Sequence, residues 1–314
     1  MSTIDMNSST GEEGNISPEQ AFSLLADETR LAILRTLWTA ETPIRFSALR
    51  ERIEHADSGN FNYHLRQLAN HFVRRTPDGY ELRHAGKEVV RAVLAGALTD
   101  DTTIDTFAVD GQCGICGASV EAQYEHELLT IRCTNCEGVR MDTFPRGTLG
   151  AYELPAVGLR NRSPEEVFPA AFVWFVSSVI ALVEGVCPRC TGKTGSSVSI
   201  CREHSIQQET VCDACESVFS VWAEYECRAC GFTQSLPAQT SLIHHPAVIS
   251  FYYDRGVEIN RLWELIDQAH YLFEWETTVL SEDPLEIQYS IPFDDEELHV
   301  TMDEGLTVID VRSS

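Results

Sequence analysis

Ten of the 11 cysteines in this 314-residue chain fall into five Cys-x-x-Cys pairs. They are Cys113 with Cys116, Cys133 with Cys136, Cys187 with Cys190, Cys212 with Cys215, and Cys227 with Cys230. Two intervening residues let a tight knuckle present both thiolates to one tetrahedral metal ion, with backbone amides aimed at the sulfurs. Disulfides are the competing reading. The N-terminus, MSTIDMNSSTGEEGN, has neither the basic start nor the apolar core of a secretion signal, so five adjacent pairs fit a reduced, cytoplasmic setting better.

The stretch CGICGASVEAQYEHELLTIRCTNC sets Cys113 and Cys116 against Cys133 and Cys136 across a strand, a turn and a strand, with Val120, Ala122 and Tyr124 alternating. This is the layout of a zinc ribbon. In the second cluster the leftover Cys201 stands three before His204, adding a Cys-x-x-His pair. Eight ligands imply two ions. The simplest division is sequential: Cys187, Cys190, Cys201 and His204 for one, and Cys212, Cys215, Cys227 and Cys230 for the other. An interleaved cross-brace stays open, and so does a single ion with a spare pair if His204 is only a surface histidine. Three structural Zn²⁺ are expected, with two as the minimum. Four protein ligands leave no position for water or substrate, so such sites lend their binding energy to folding. A catalytic zinc needs an open position and a nearby base, and no such set stands out. Glu203 and Asp213 are near, but acids are plentiful everywhere in this chain. The chain is not expected to be an enzyme.

Plentiful acids are the second constraint. The formal charge is −25, from 48 acidic and 23 basic residues, and Lys87 and Lys193 are the only lysines. That imbalance resembles proteins of salt-loving archaea, whose surface carboxylates keep them soluble. Residues 17–98 escape it, with 11 basic and 10 acidic side chains for a net of +1, leaving −26 on the remainder. A locally neutral segment in so acidic a chain is where a nucleic-acid surface would sit.

That segment reads as short helices and a hairpin. Ser17, Pro18 and Gln20 make a capping box for a helix to about Ala26, and Asp27 caps a second helix through Trp38 that offers Ile33, Leu34, Leu37 and Trp38 to a core. RFSALRERI is a third, showing Phe46, Leu49 and Ile53. DSGNFNYHLRQLANHF is a fourth, capped by Asp57 or Ser58, with Phe61, Leu65, Leu68 and Phe72 on one narrow face. Its opposite face carries Gly59, Asn62, Tyr63, Arg66 and Asn70, with Asn60 and Gln67 flanking; asparagine and arginine there suit base edges, and an ordinary solvated face is the alternative. His64 and His71 are two turns apart, too far for one metal ion. FVRRTPDGYELR then reads as a strand, a Pro-Asp-Gly turn and a strand, and AGKEVVRAVLAGAL as a closing helix.

LLADETRLAILRTLW, followed in order by FSALRERI and DSGNFNYHLRQL, resembles the ArsR-like winged helix-turn-helix transcriptional regulators, of a haloarchaeal type given the charge. The resemblance covers the first third of the chain. It implies that Ser58 to Asn70 is the recognition helix, that Ser58, Asn60, Asn62, Tyr63 and Arg66 face bases and phosphates, and that Arg74, Arg75 and Arg83 lie on or beside the wing. Pairing of those arginines with Asp78 or Glu81 is the competing reading. Many relatives of that kind sense metals through cysteines on these helices, and residues 17–98 contain none. Metal sensing at that position is therefore not expected.

The remaining segments complete an α+β architecture: a disordered tail over 1–16, a winged helix-turn-helix over 17–98, a first zinc ribbon over 108–145, a linker with an apolar helix over 146–186, a second zinc cluster over 187–236, and helices with antiparallel strands over 237–314. The apolar helix opens on a capping box of Ser163 and Glu166. It is apolar or small all round, which calls for cover on both sides; a buried core helix is preferred to a membrane span, and a dimer contact is an alternative. HHPAVISFYYDRGVEINRLWELIDQ reads as two helices broken near Gly256, whose Phe251, Tyr252, Tyr253 and Trp263 are core or pocket lining. The expected function is a sequence-specific, homodimeric regulator bound to double-stranded DNA, off the membrane, with a small-molecule or protein effector at its C-terminal module. Its rivals are an adaptor docking on the transcription machinery, a metal- or redox-responsive regulator using the second cysteine cluster, and a zinc enzyme.

Overall fold

The computed structural model describes residues 16–40, 42–53, 58–96, 102–139, 144–204, 211–259 and 270–314. Most of the expected tail, the Asp57 cap and Trp263 lie outside them. The chain divides into two compact units, Met1–Asp100 and Asp101–Ser314. The fold is mixed α and β, with thirteen described strands in four antiparallel sheets.

In the first unit the capping chemistry sets the helix starts. Ser17 Oγ accepts from the Gln20 amide at 3.2 Å while Gln20 Oε1 accepts from the Ser17 amide at 3.0 Å, opening α1 (Pro18–Leu25). Asp27 accepts from the Arg30 amide at 3.1 Å and opens α2 (Glu28–Trp38), which buries Ile33, Leu34 and Leu37. Trp38 stays half-buried beneath the Arg91 guanidinium. Helix α3 (Phe46–Glu51) buries Leu49, and α4 (Ser58–Leu68) buries Phe61, Leu65 and Leu68 against the same core. The α4 helix stops two residues short of the expected Asn70. There Asn70 takes a left-handed φ of 73° and its amide donates to the Val73 carbonyl, a conformation asparagine tolerates better than most residues.

Strands β1 (Val73–Thr76) and β2 (Gly79–Leu82) follow as a hairpin in register from Val73↔Leu82 to Thr76↔Gly79, so Pro77 and Asp78 form a two-residue loop. Ile44 and Tyr80 exchange both backbone hydrogen bonds, and a Cβ on Gly79 would stand 2.3 Å from the Ile44 carbonyl oxygen. Only glycine allows that approach. Helix α5 (His84–Leu94) closes the unit.

In the second unit β3 (Ile104–Gln112), β4 (Ser119–Glu125), β5 (Leu128–Cys133) and β6 (Thr148–Glu153) form one antiparallel meander. Val120, Ala122 and Tyr124 all point inward, as their alternation predicts. The sheet is larger than the segment 108–145, because β3 starts earlier and β6 comes from the stretch read as linker. Helix α6 (Pro164–Val183) buries Phe168, Phe172, Val176 and Val179, while Val173, Trp174, Ile180 and Val183 are about two-fifths exposed. Among the described residues it is therefore covered on one side, where cover on both was expected. A three-stranded sheet of β7 (Thr194–Ile200), β8 (Val221–Cys227) and β9 (Thr233–Pro237) comes next.

Helix α7 (Pro246–Tyr253) ends just before Gly256, at φ 79°; its expected partner helix lies within 260–269, outside the described residues. After α8 (His270–Phe273), strands β10 (Glu276–Glu282), β11 (Leu285–Phe293), β12 (Glu296–Asp303) and β13 (Val308–Ser313) make the last meander, the antiparallel pairing that short connections require. One hydrophobic core runs through the unit, taking Val120, Phe172, Tyr225, Tyr252 and Tyr289 together. The segments 108–145, 146–186, 187–236 and 237–314 are thus parts of a single body.

Candidate metal centres and nucleic-acid interface

Four of the five cysteine knuckles share one backbone pattern. In those starting at Cys113, Cys187, Cys212 and Cys227, the amide four residues on (Gly117, Thr191, Glu216, Gly231) donates to the cysteine carbonyl. The cysteine amide in turn donates to the carbonyl five residues on. Each fifth residue takes a positive φ, from 51° to 74°. This turn lifts amides toward sulfur, Ile115 to Cys113 and Arg189 to Cys187 at 3.4 Å; the Cys133 knuckle lacks the turn, yet its Asn135 amide also donates to Cys133 Sγ at 3.3 Å.

Three sets of four side chains result, each with its ligand atoms within 4.8 Å of one another. The first is Cys113, Cys116, Cys133 and Cys136. It assembles because the β4–β5 hairpin places Val120 opposite Cys133, bringing both knuckles to one end of the sheet. The second is Cys187, Cys190, Cys227 and Cys230, and the third is Cys201, His204, Cys212 and Cys215. This corrects the sequential division and excludes the cross-brace: the sets are nested. The reason is the β7–β8 register, Thr194↔Cys227 at the open end and Ile200↔Val221 toward the tip. The outermost pairs must meet at one end of the ribbon and the inner pairs at the other, about 20 Å away.

The donor sets suit a tetrahedral ion. Sulfurs stand 3.6 Å apart for Cys113 and Cys136, 3.5 Å for Cys116 and Cys133, and 3.7 Å for Cys187 and Cys230. A tetrahedron with metal–sulfur bonds of about 2.3 Å has an edge of about 3.8 Å. All eleven cysteines are free thiols, so no disulfide competes. The Cys230 amide holds the Cys227 thiol down at about 7. Although the Gly192 amide donates to Cys190, the sulfurs of Cys230 and Cys227 push that thiol up to about 12. Burial, with Cys201 and Cys212 beside it, pushes Cys215 up to about 12 as well. Four sulfurs this close cannot all ionise without a cation among them. Burial holds His204 below the usual imidazole range, which favours the neutral ring a metal needs, and its Nδ1 stands 3.3 Å from Cys215 Sγ.

In the first unit the α4 face is as expected: Asn60, Asn62, Tyr63 and Arg66 are all exposed, and Ser58 is the first residue of the helix. Asn60, Asn62 and Arg66 have no polar partner among the described residues. His64 is buried, with Nδ1 3.3 Å from Asp27 Oδ1. The hairpin arginines differ from one another. Arg74 pairs with Glu81 and Arg83 donates to the Asn70 carbonyl, while Arg75 is exposed with no partner among the described residues. Of the aromatic residues offered as pocket lining, Phe251 and Tyr252 are core and Tyr253 is exposed. The cavity of the second unit opens elsewhere, at residues the sequence did not single out, such as Tyr152, Trp222 and Phe232. Their spacing follows no motif; only strand pairing gathers them.

A family model described as Domain of unknown function (DUF7351) matches residues 110–308, and one described as Domain of unknown function (DUF7347) matches residues 18–93. Each match falls inside one of the two units. No curated protein and no solved structure matches the chain.

Proposed function

Because the chain belongs to the DUF7351 family, which is defined by a domain and not by an activity, function has to be argued from the sites, and we propose a zinc-stabilised, sequence-specific DNA-binding regulator. The first unit is its winged helix-turn-helix and the second its zinc-ribbon module. The observation that carries this reading is α4: Phe61, Leu65 and Leu68 are sealed in the core while Asn60, Asn62, Tyr63 and Arg66 project outward, the asparagines and the arginine with no polar partner among the described residues. In a major groove, asparagine pairs bidentately with adenine and arginine with guanine, so these side chains would read bases. Arg75 and Lys87 would meet phosphates, contacts that position without specifying. Each set, whether of four cysteines or of three cysteines and a histidine, would hold one Zn²⁺ whose role is a crosslink, because no ligand position is left for substrate.

The internal pairing of Arg74 and Arg83 favours a second reading, an adaptor that docks on transcription proteins through the same surfaces. Genome-wide crosslinking of the tagged protein in its host separates the two. For the regulator, sharp peaks share a short palindromic motif and vanish in an Asn62→Ala, Arg66→Ala double variant. Peaks indifferent to the variant, or none from a well-expressed wild type, leave the adaptor.

A further inference from the structure

Well-packed interiors carry few voids larger than one water molecule, whereas the second unit carries a cleft of about 580 Å³ that opens to solvent. It lies between β6, α6 and the β8–β9 hairpin. Its walls are chiefly apolar, and rings are prominent in them: Tyr152 from β6, Phe168, Phe172 and Phe175 from α6, Trp222 from β8, and Phe232 ahead of β9. At about 30 Å³ each, on the order of twenty waters would fill it, and rings give them too few hydrogen bonds. Water in such a place is readily displaced by an apolar body. The volume falls within the range of small-molecule sites, which bury most of their ligand behind apolar walls and orient it with a few polar groups.

The polar groups define the ligand. Tyr152 stands edge-on to Phe168, Phe172 and Phe175, with ring centroids 5.8, 5.7 and 5.2 Å away. Its hydroxyl has no hydrogen-bond partner among the described residues, and burial raises its pKa, so it keeps its proton to donate. Gly150, also in the wall, leaves space for that hydroxyl: a Cβ there would lie 2.4 Å from Tyr152 Oη. Among the described residues Arg189 is the one cationic lining residue, and it is already paired with Glu153. Glu224 accepts from the Ser235 hydroxyl at 2.7 Å. Among the described residues no spare cation awaits an anion, and no bare carboxylate awaits a cation.

We propose that this cavity binds a neutral, flat, largely apolar small molecule with one hydrogen-bonding group, packed among the rings and anchored by the Tyr152 hydroxyl. The site belongs to the second unit and does not depend on DNA binding by the first. N-phenyl-1-naphthylamine is a suitable probe, being neutral, polycyclic, equipped with one N–H and brighter in apolar surroundings. Titrated into the full chain in molar potassium chloride, it should give a saturable rise at one probe per chain, excited in part by energy transfer from Trp174 and Trp222.

Three variants locate it. Ser178→Phe, on the cavity side of α6, should weaken binding at least tenfold. Tyr152→Phe, which preserves shape, should weaken it about threefold or more. Ile180→Ser, on the exposed side of α6, should leave it within twofold of wild type. Circular dichroism checks folding, and if Ser178→Phe does not fold, Tyr152→Phe decides alone. Non-saturating binding, several probes per chain, indifference to Tyr152→Phe, or loss in Ile180→Ser would each overturn the proposal.

Discussion

At the fifth position of four of the five cysteine knuckles the backbone turns left-handed, and the chain meets that demand in two ways. Gly117 and Gly231 do so at φ 73° and 74°, while Thr191 and Glu216 carry side chains at φ 59° and 51°. A Cβ on Gly117 would meet nothing within 4 Å, so Gly117→Ala isolates the backbone term and should cost about 1–2 kcal/mol. Thr191→Gly should gain a similar amount, and denaturant titration of the three proteins measures both; equal stabilities would sink the account. His204 sets a pH limit through its burial. Its folded pKa lies below the unfolded value near 6.5, so between the two the unfolded chain binds more protons. Stability and ligation at the Cys201, His204, Cys212 and Cys215 set should fall as pH drops below about 6.5 and level off beneath the folded value. Against a zinc-binding dye, lowering the pH from 7.5 to 5.5 should free one equivalent from wild type. A His204→Asn variant should lack that equivalent throughout; its releasing the same amount would refute the assignment.

At the scale of elements, the β7–β8 hairpin decides which ligands meet, and this gives the nested sets their test. Cys187→Ser and Cys230→Ser, 43 residues apart, should each lose one zinc, the same one, so that the double variant loses no more. Cys187→Ser with Cys201→Ser should lose two. Metal analysis of purified variants reads the difference, and a single equivalent lost in the second pair would restore the sequential division. The hairpin also shows what was legible in the sequence. Helix starts at Ser17, Asp27 and Ser163 were readable because caps act within four residues, and so were the ligand residues themselves, because a knuckle spans four. The α4 stripe was readable from its period. Pairing between knuckles was not, since it depends on a strand register joining residues dozens of positions apart. TGSSVSI, with three serines and a glycine, has little β signal, and its pairing with β8 is what makes it β7. Strand β6, TLGAYE, was likewise hidden, and with it the aromatic wall that Tyr152 begins.

For the whole molecule, the two units rest on different chemistry. The core of the first, from Ile33 and Leu34 to Phe61, Leu65 and Val90, contains no cysteine, so apolar burial and helix caps must hold it. The second carries all twelve candidate ligands, and ions bound there would tie its β3–β9 segment at both ends of a hairpin and at one end of a sheet. Structural zinc binds with about 10–16 kcal/mol in small zinc-dependent peptides, against a total of about 5–15 kcal/mol for a typical domain. Loss of the ions should therefore exceed what the second unit can absorb while leaving the first untouched. Under strong chelation, slow amide exchange should vanish from β4, β5, β7 and β8 and persist in α2 and α4, and restoring zinc should restore it. If α2 and α4 lose protection together with the strands, the units are not independent; if the strands keep it, the crosslinks are not what holds them. The intended outcome also ties stability to function, because a first unit that survives chelation can be tested for DNA binding with the second one unfolded. Retained site-specific binding would place sequence reading in the first unit alone, and its loss would show that the metal-held body supplies a partner or a second copy that the reading requires.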